Sequence, residues 1–298
     1  MNISYLKNLY LPPKDSHKGQ NGRLLILGGS HLFHSASLWA LKVASRIVDL
    51  VHYSSIPENN KIVQKLKEEF RDGIVVPRSE VESYIEEDDC ILIGPGMVRT
   101  ESGIKNYELG IKNINDIEKI DNEGIQTYYL TRYLLQRYPN KRWVIDAGAL
   151  QMMEVDWIPQ NAILTPHHKE FEGLESRIKN YELRMKMKKL ELKEKVILFA
   201  KEYNCIVLLK GEKDIIASRD KLEMIEGGNA GMTKGGTGDV LAGLVASLYC
   251  KNDAYTSAIA ASYINKKAGE ELYKKMGYWF NASDLADQIP ETMKELLL

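Results

Sequence analysis

The 298-residue chain carries 40 lysines and arginines against 41 aspartates and glutamates, a formal net charge of -1, with 44% hydrophobic residues. That balance gives no electrostatic handle for nucleic acid or an acidic membrane surface, and no apolar run approaches the roughly 18 residues of a membrane span. Cys90, Cys205 and Cys250 are few, far apart and odd in number, which argues against a disulfide framework or a cysteine zinc site and for buried thiols in a reducing, cytoplasmic setting.

Met1 to Leu11 lacks the basic head and apolar stretch of a secretory signal. Arg23 to Leu27 then reads as a buried strand closed by Gly28-Gly29-Ser30, and an apolar helix is expected over Ala36 to Asp49. Leu50 to Tyr53 reads as the next strand. Cys90 to Ile93 runs into Gly94-Pro95-Gly96, Trp143 to Ile145 into Asp146-Ala147-Gly148, and Ala162 to Leu164 into Thr165-Pro166-His167. Cys205 to Leu209 leads into Lys210-Gly211. Charged stretches at 99–142, with a tyrosine-rich helix near Tyr128 to Tyr138, and at 176–195 read as solvated helical faces. Short runs of Val, Ile and Leu separated by helical segments predict an α/β fold whose mostly parallel sheet is covered on both faces. With no composition shift, one domain over 1–298 is expected. The polar and glycine clusters all follow strands, and open parallel sheets bind ligands at their strands' carboxyl ends.

The strongest local signal is Gly227-Gly228-Asn229-Ala230-Gly231-Met232-Thr233-Lys234-Gly235-Gly236-Thr237-Gly238-Asp239, which opens onto the apolar run Val240 to Ala246. A glycine-dense loop lets successive backbone N–H groups converge, and a helix N-terminus adds unpaired donors and a favourable dipole. Together they form an anion hole suited to phosphate. The spacing is neither a P-loop nor a dinucleotide fingerprint. The rival reading, a tight turn before a buried helix, accounts poorly for so many glycines. Asp239 lies within the anion hole, where a carboxylate beside a hydroxyl acceptor serves as general base for phosphoryl transfer.

The pattern Gly-Asn-x-Gly-Met-x-x-Gly-Gly-x-Gly-Asp-Val-Leu-x-Gly resembles the signature of the NAD(P)H-hydrate dehydratases, a family with a ribokinase-like fold. Leu25 to Ser30 with Ala36, Gly94-Pro95-Gly96, Asp146-Ala147-x-Ala149-Leu150, Leu164 to His167 with Glu170, Leu209-Lys210-Gly211 and Ser283-Asp284-Leu285 follow in the family's order. The likeness runs from about Lys18 to the C-terminus. It implies a three-layer α/β/α architecture and Asp239 as the catalytic base. It also implies substrate contacts at Ala36, Gly96, His167 and Asp239. Nucleotide contacts are implied at Lys210, Gly211, Glu212, Lys213 and Asp214 and at Gly235, Gly236, Thr237 and Gly238. The implied cofactors are ADP or ATP with Mg²⁺, the implied substrate is NAD(P)H hydrate, and the implied reaction is phosphorylation of the C6 hydroxyl followed by loss of phosphate. Tetramers are common in the family, and the chain is too short for the epimerase domain often fused before this one, so any epimerase is expected to be a separate protein.

Departures from the family pattern gather on the substrate side: Ser35 before Ala36, Ile47-Val48-Asp49 where a glycine-rich turn is usual, Val98, and Gly148 in place of a carboxylate. Residues 100–142 also look longer than usual. Two alternatives therefore stand beside the dehydratase: a small-molecule kinase of the same fold that stops at the phosphate ester, and a nucleotide-binding protein whose catalysis has decayed. Taken alone, Thr165-Pro166 would be an N-cap and first helical residue, which would leave His167 a surface residue of that helix.

Overall fold

A computed structural model describes residues 4–100 and 111–298. Its centre is a nine-stranded sheet. The strands are β1 (Arg23–Leu27), β2 (Leu50–Ser54), β3 (Ile74–Val75), β4 (Cys90–Ile93), β5 (Arg142–Ile145), β6 (Ile163–Leu164), β7 (Ile206–Leu209), β8 (Asp214–Ala217) and β9 (Leu222–Ile225). They lie in the order β3-β2-β1-β4-β5-β6-β7-β8-β9. Pairing is parallel from β3 to β7 and antiparallel across β7–β8 and β8–β9.

The two-residue period of a strand sorts its side chains between two cores. Leu24, Ile26, Cys90, Leu92 and Val144 join the helices His34–Ala44, Thr237–Tyr249, Ala254–Met276 and Ala282–Leu297 on one face. Leu25, Leu27, Ile91, Ile93, Trp143 and Ile145 meet Glu123–Arg137, Ala147–Met152, His168–Ser176 and Leu192–Glu202 on the other. Because both faces are covered, these strands are apolar throughout rather than alternating, as the sequence predicts. The ribokinase-like α/β/α expectation is met.

Several boundaries differ. The helix expected over Ala36 to Asp49 spans His34–Ala44. Asp49 is drawn out of helical geometry because its Oδ2 accepts the backbone N–H groups of Gly19 (2.7 Å) and Asn21 (3.0 Å). The helix after β6 begins at His168, not at Pro166, because His167 and Glu170 form a reciprocal capping box and Thr165 is turned to another partner. The charged run 176–195 breaks into Tyr181–Met187 and the start of Leu192–Glu202, the first capped by Asn180 and the second by Glu191. β3, β8 and β9 have no counterpart in the sequence reading. Of the longer segment at 100–142, residues 101–110 lie outside the described residues, and the remainder forms Ile114–Glu118, Glu123–Arg137 and the start of β5. Among the described residues no helix is long and apolar enough to cross a membrane.

Candidate active site

The turns that follow β1, β4, β5, β6 and β7 all lie at the carboxyl edge of the parallel sheet. Asp146, directly after β5, is buried. Its Oδ1 receives the Lys210 ammonium at 2.8 Å and the Thr165 hydroxyl at 2.7 Å. Glu170, also buried, is fixed by the amide of Gln151 (2.7 Å) and the backbone N–H of His167 (2.9 Å). Burial opposes the Lys210 charge, yet Asp146, Glu170 and Asp239 together hold its pKa above the ordinary lysine value. Lys210 is therefore a fixed cation.

Asp239 stands in the first turn of the helix Thr237–Tyr249. Its carboxyl pKa is pushed up to about 7, first by burial and next by the Asp146 carboxylate, with Lys210 pulling the other way. A carboxylate titrating near neutrality is matched to taking a proton from a hydroxyl. The helix is capped by Gly236, whose φ of 96° is left-handed. A side chain at Gly236 would also strike the Trp39 indole, which lies against it and donates Nε1–H to the Ser283 hydroxyl at 3.0 Å. Thr237 donates its hydroxyl back to the carbonyls of Met232 and Lys234, and Lys234 reaches the carbonyls of Tyr278 and Phe280. Gly235 differs: a side chain there would meet nothing. Its bareness leaves the loop's outer face clear for an approaching group.

Beside this loop opens a cavity of about 890 Å³. Of the predicted nucleotide residues, Lys210, Gly211, Glu212, Lys213, Asp214, Thr237 and Gly238 line it, while Gly235 and Gly236 form the capped rim of the helix. Asp214 is buried and committed to the protein: it accepts Gly211 N–H (2.9 Å) and the Ser262 hydroxyl (2.7 Å), and pairs with Lys266 at 3.3 Å. Asp214 thus shapes the turn rather than offering a free carboxylate. Lys213 pairs instead with Glu226 at 2.6 Å.

Ala36 and Gly96, both expected to contact substrate, lie against each other. A side chain at Gly96 would meet the Phe33 carbonyl at 2.8 Å and the Ala36 methyl at 2.9 Å. Neither residue lines the large cavity, whereas His167 does. His167 Nδ1 accepts the Glu170 N–H at 3.2 Å, so the same ring caps its helix. Gly148, where a carboxylate is usual, lies so close to the Met97 carbonyl that any side chain there would collide with the backbone after β4.

Sequence reasoning missed Lys266 and Asn265. Lys266 and Asn265 are buried on the helix Ala254–Met276 and line the cavity. Lys266 donates to the carbonyls of Gly211 (3.1 Å) and Glu212 (2.9 Å). The available signal was a pair of polar residues on a helix face otherwise built of Ala258, Ala261, Ile264 and Ala268. Among the described residues no group of three or more His, Cys, Asp or Glu side chains is arranged to hold a metal.

The model of the NAD(P)H-hydrate dehydratase family matches residues 24–291. The chain belongs to that family. The ADP-dependent (S)-NAD(P)H-hydrate dehydratase of Nitrosopumilus maritimus is 33% identical over 282 residues, covering 94% of this chain and 91% of the relative. The bifunctional NAD(P)H-hydrate repair enzyme of Methanocaldococcus jannaschii is 34% identical over 294 residues and 97% of this chain, and this dehydratase-family chain spans about half of that relative's length, 51%. Among solved structures, the ADP/ATP-dependent NAD(P)H-hydrate dehydratase from Bacillus subtilis, co-crystallized with ATP/Mg²⁺, superimposes with a TM-score of 0.72 at 22% identity, covering 99% of this chain and 97% of that one. That likeness carries the fold.

Proposed function

We propose that the chain is an ADP- or ATP-dependent (S)-NAD(P)H-hydrate dehydratase with Asp239 as its base. The carrying observation is the joint placement of three things: a carboxyl titrating near 7, a lysine fixed on the buried Asp146, and a glycine-capped helix N-terminus at the edge of a large cavity. In this reading the Asp239 carboxylate accepts the proton of the hydrate's C6 hydroxyl as that oxygen bonds to the terminal phosphorus. The bond from that phosphorus to the bridging oxygen breaks, and the shortened nucleotide departs with the electron pair. Loss of phosphate from C6 together with a neighbouring ring proton then restores the double bond of NAD(P)H.

Lys210 and the first N–H groups of the helix face the charge that moves during transfer, and their fixed geometry removes the cost of reorganising solvent. The residues fit a divalent ion carried on the nucleotide's own phosphates better than a dedicated protein cage, since Asp146 and Glu170 already hold internal partners. Mg²⁺ bound in that way would offset phosphate charge. Gly238 and the turn Lys210–Asp214 would hold the nucleotide, and Ala36, Gly96 and His167 the hydrate.

The test follows recovery of the near-ultraviolet band of reduced nicotinamide when purified protein, Mg²⁺ and ADP or ATP act on NADH hydrate. Recovery that is lost in Asp239→Asn is expected. A stable phosphorylated alcohol without recovery would assign a kinase instead, and nucleotide binding without any turnover would overturn the catalytic reading.

A further inference from the structure

Asn265 is 5% exposed, yet it lines the large cavity. Its Oδ1 is buried and has no hydrogen-bond partner. Buried polar atoms are nearly always paired, and an orphan of this kind costs about as much as a lost hydrogen bond. Its neighbours on the same helix show the contrast. Ser262 and Lys266 are both spent on Asp214, and Lys266 also holds the turn carbonyls. Asn265 alone is left over, and the atom left over is an acceptor. Whatever completes it must bring a donor.

Resting on the reading of this cavity as the nucleotide site, we propose that Asn265 reads the base of the bound nucleotide, its Oδ1 accepting from the exocyclic amine of adenine. Phosphate oxygens bring no donor at neutral pH, and the adjacent cation, Lys266, is already committed to Asp214 and the turn carbonyls. The same cavity also carries apolar lining, Leu241 and Met232. Met232 packs on Gly269, one turn beyond Asn265 on the same helix, and against Gly228. A flat ring is the part of a nucleotide that suits such walls. A carboxamide meets adenine through two adjacent bonds, accepting from the amine while its own N–H donates to a ring nitrogen. On the edge that carries N7, a 6-oxo purine presents only acceptors, O6 and N7, and leaves Oδ1 unpaired.

The experiment is calorimetric titration of the wild type and Asn265→Leu with ADP, 2′-deoxy-ADP, IDP and inorganic pyrophosphate. The wild type should bind ADP roughly tenfold or more tightly than IDP, the scale of one bidentate base contact. Asn265→Leu should lower ADP to the level of IDP while leaving pyrophosphate unchanged. Since the variant replaces an unpaired amide with an apolar group of similar shape, its melting temperature should hold or rise. An unchanged ADP to IDP ratio in the variant, or a parallel loss of pyrophosphate, would overturn the assignment. A wild type that binds 2′-deoxy-ADP as poorly as IDP would move the contact to the sugar and overturn it too. Should the wild type bind neither ADP nor pyrophosphate, the nucleotide site itself fails, and the assignment falls with it.

Discussion

Asp239 carries a conflict between stability and chemistry. Its pKa of about 7, raised from 3.8 by burial and by Asp146, means that the folded state binds the proton more tightly than the unfolded chain. The favourable contribution is complete below pH about 4 and is lost as pH rises through about 7. Chemistry runs the other way, because only the ionised form accepts a proton. On the proposed mechanism kcat/KM should fall tenfold per pH unit below about pH 7 and level off above it. A profile flat from pH 5 to 8 would remove Asp239 from the proton transfer. Asp239→Asn, which keeps the shape without the charge, should abolish turnover yet stabilise the protein at pH 8 by ~1–3 kcal/mol in urea unfolding.

Among the elements, the turns after β4 and β5 show a departure from the family pattern that has a packing explanation. Gly148 lets the chain after β4 settle against it, with the Met97 carbonyl in the space of any side chain. Gly148→Asp would restore the usual carboxylate but not the usual room. We expect it to cost ~1–3 kcal/mol through overpacking and to leave activity unimproved; a variant with unchanged urea midpoint and higher kcat/KM would show that the turn yields freely. The same elements show what the sequence makes legible. β1, β2, β4, β5, β6 and β7 were readable because buried parallel strands are uninterrupted apolar runs closed by glycine or polar turns. β3 is only two residues, Ile74–Val75, and Ile74 is exposed, so it leaves no such run. The β8–β9 hairpin was masked by its own polar residues, Asp214 and Glu223, the first of which faces Lys266 rather than solvent. Within the site, the glycine loop and Asp239 were visible as a contiguous string. Lys266 and Asn265 were not, because their meaning depends on a helix reaching back across the fold to the turn after β7.

For the whole molecule, one sheet separates two cores, and neither core belongs to one half of the chain. The face with Leu24 and Ile26 also holds Val240, Ile264 and Ile289, while the face with Leu25 and Leu27 also holds Phe199 and Ile215. Removing either half would strip both faces of the remaining strands. We therefore infer a single cooperative unit over 1–298, and calorimetry should show one unfolding transition whose calorimetric and van't Hoff enthalpies agree. ADP at about 100 times its Kd should add ~2.7 kcal/mol to that one transition. Two resolved transitions, only one of them moved by ADP, would mean two separable units.

The contacts of Trp39 with Ser283 and of Lys234 with Tyr278 and Phe280 have a bearing on how the protein is made. The glycine loop is braced by residues that leave the ribosome only after Asp239 has done so, and domains fold as units during synthesis. A nascent chain that has already delivered its glycine loop still lacks the residues that brace it. A chain ended just before residue 278 would hold all of the proposed catalytic residues without these contacts, and it should bind ADP more weakly than the full chain.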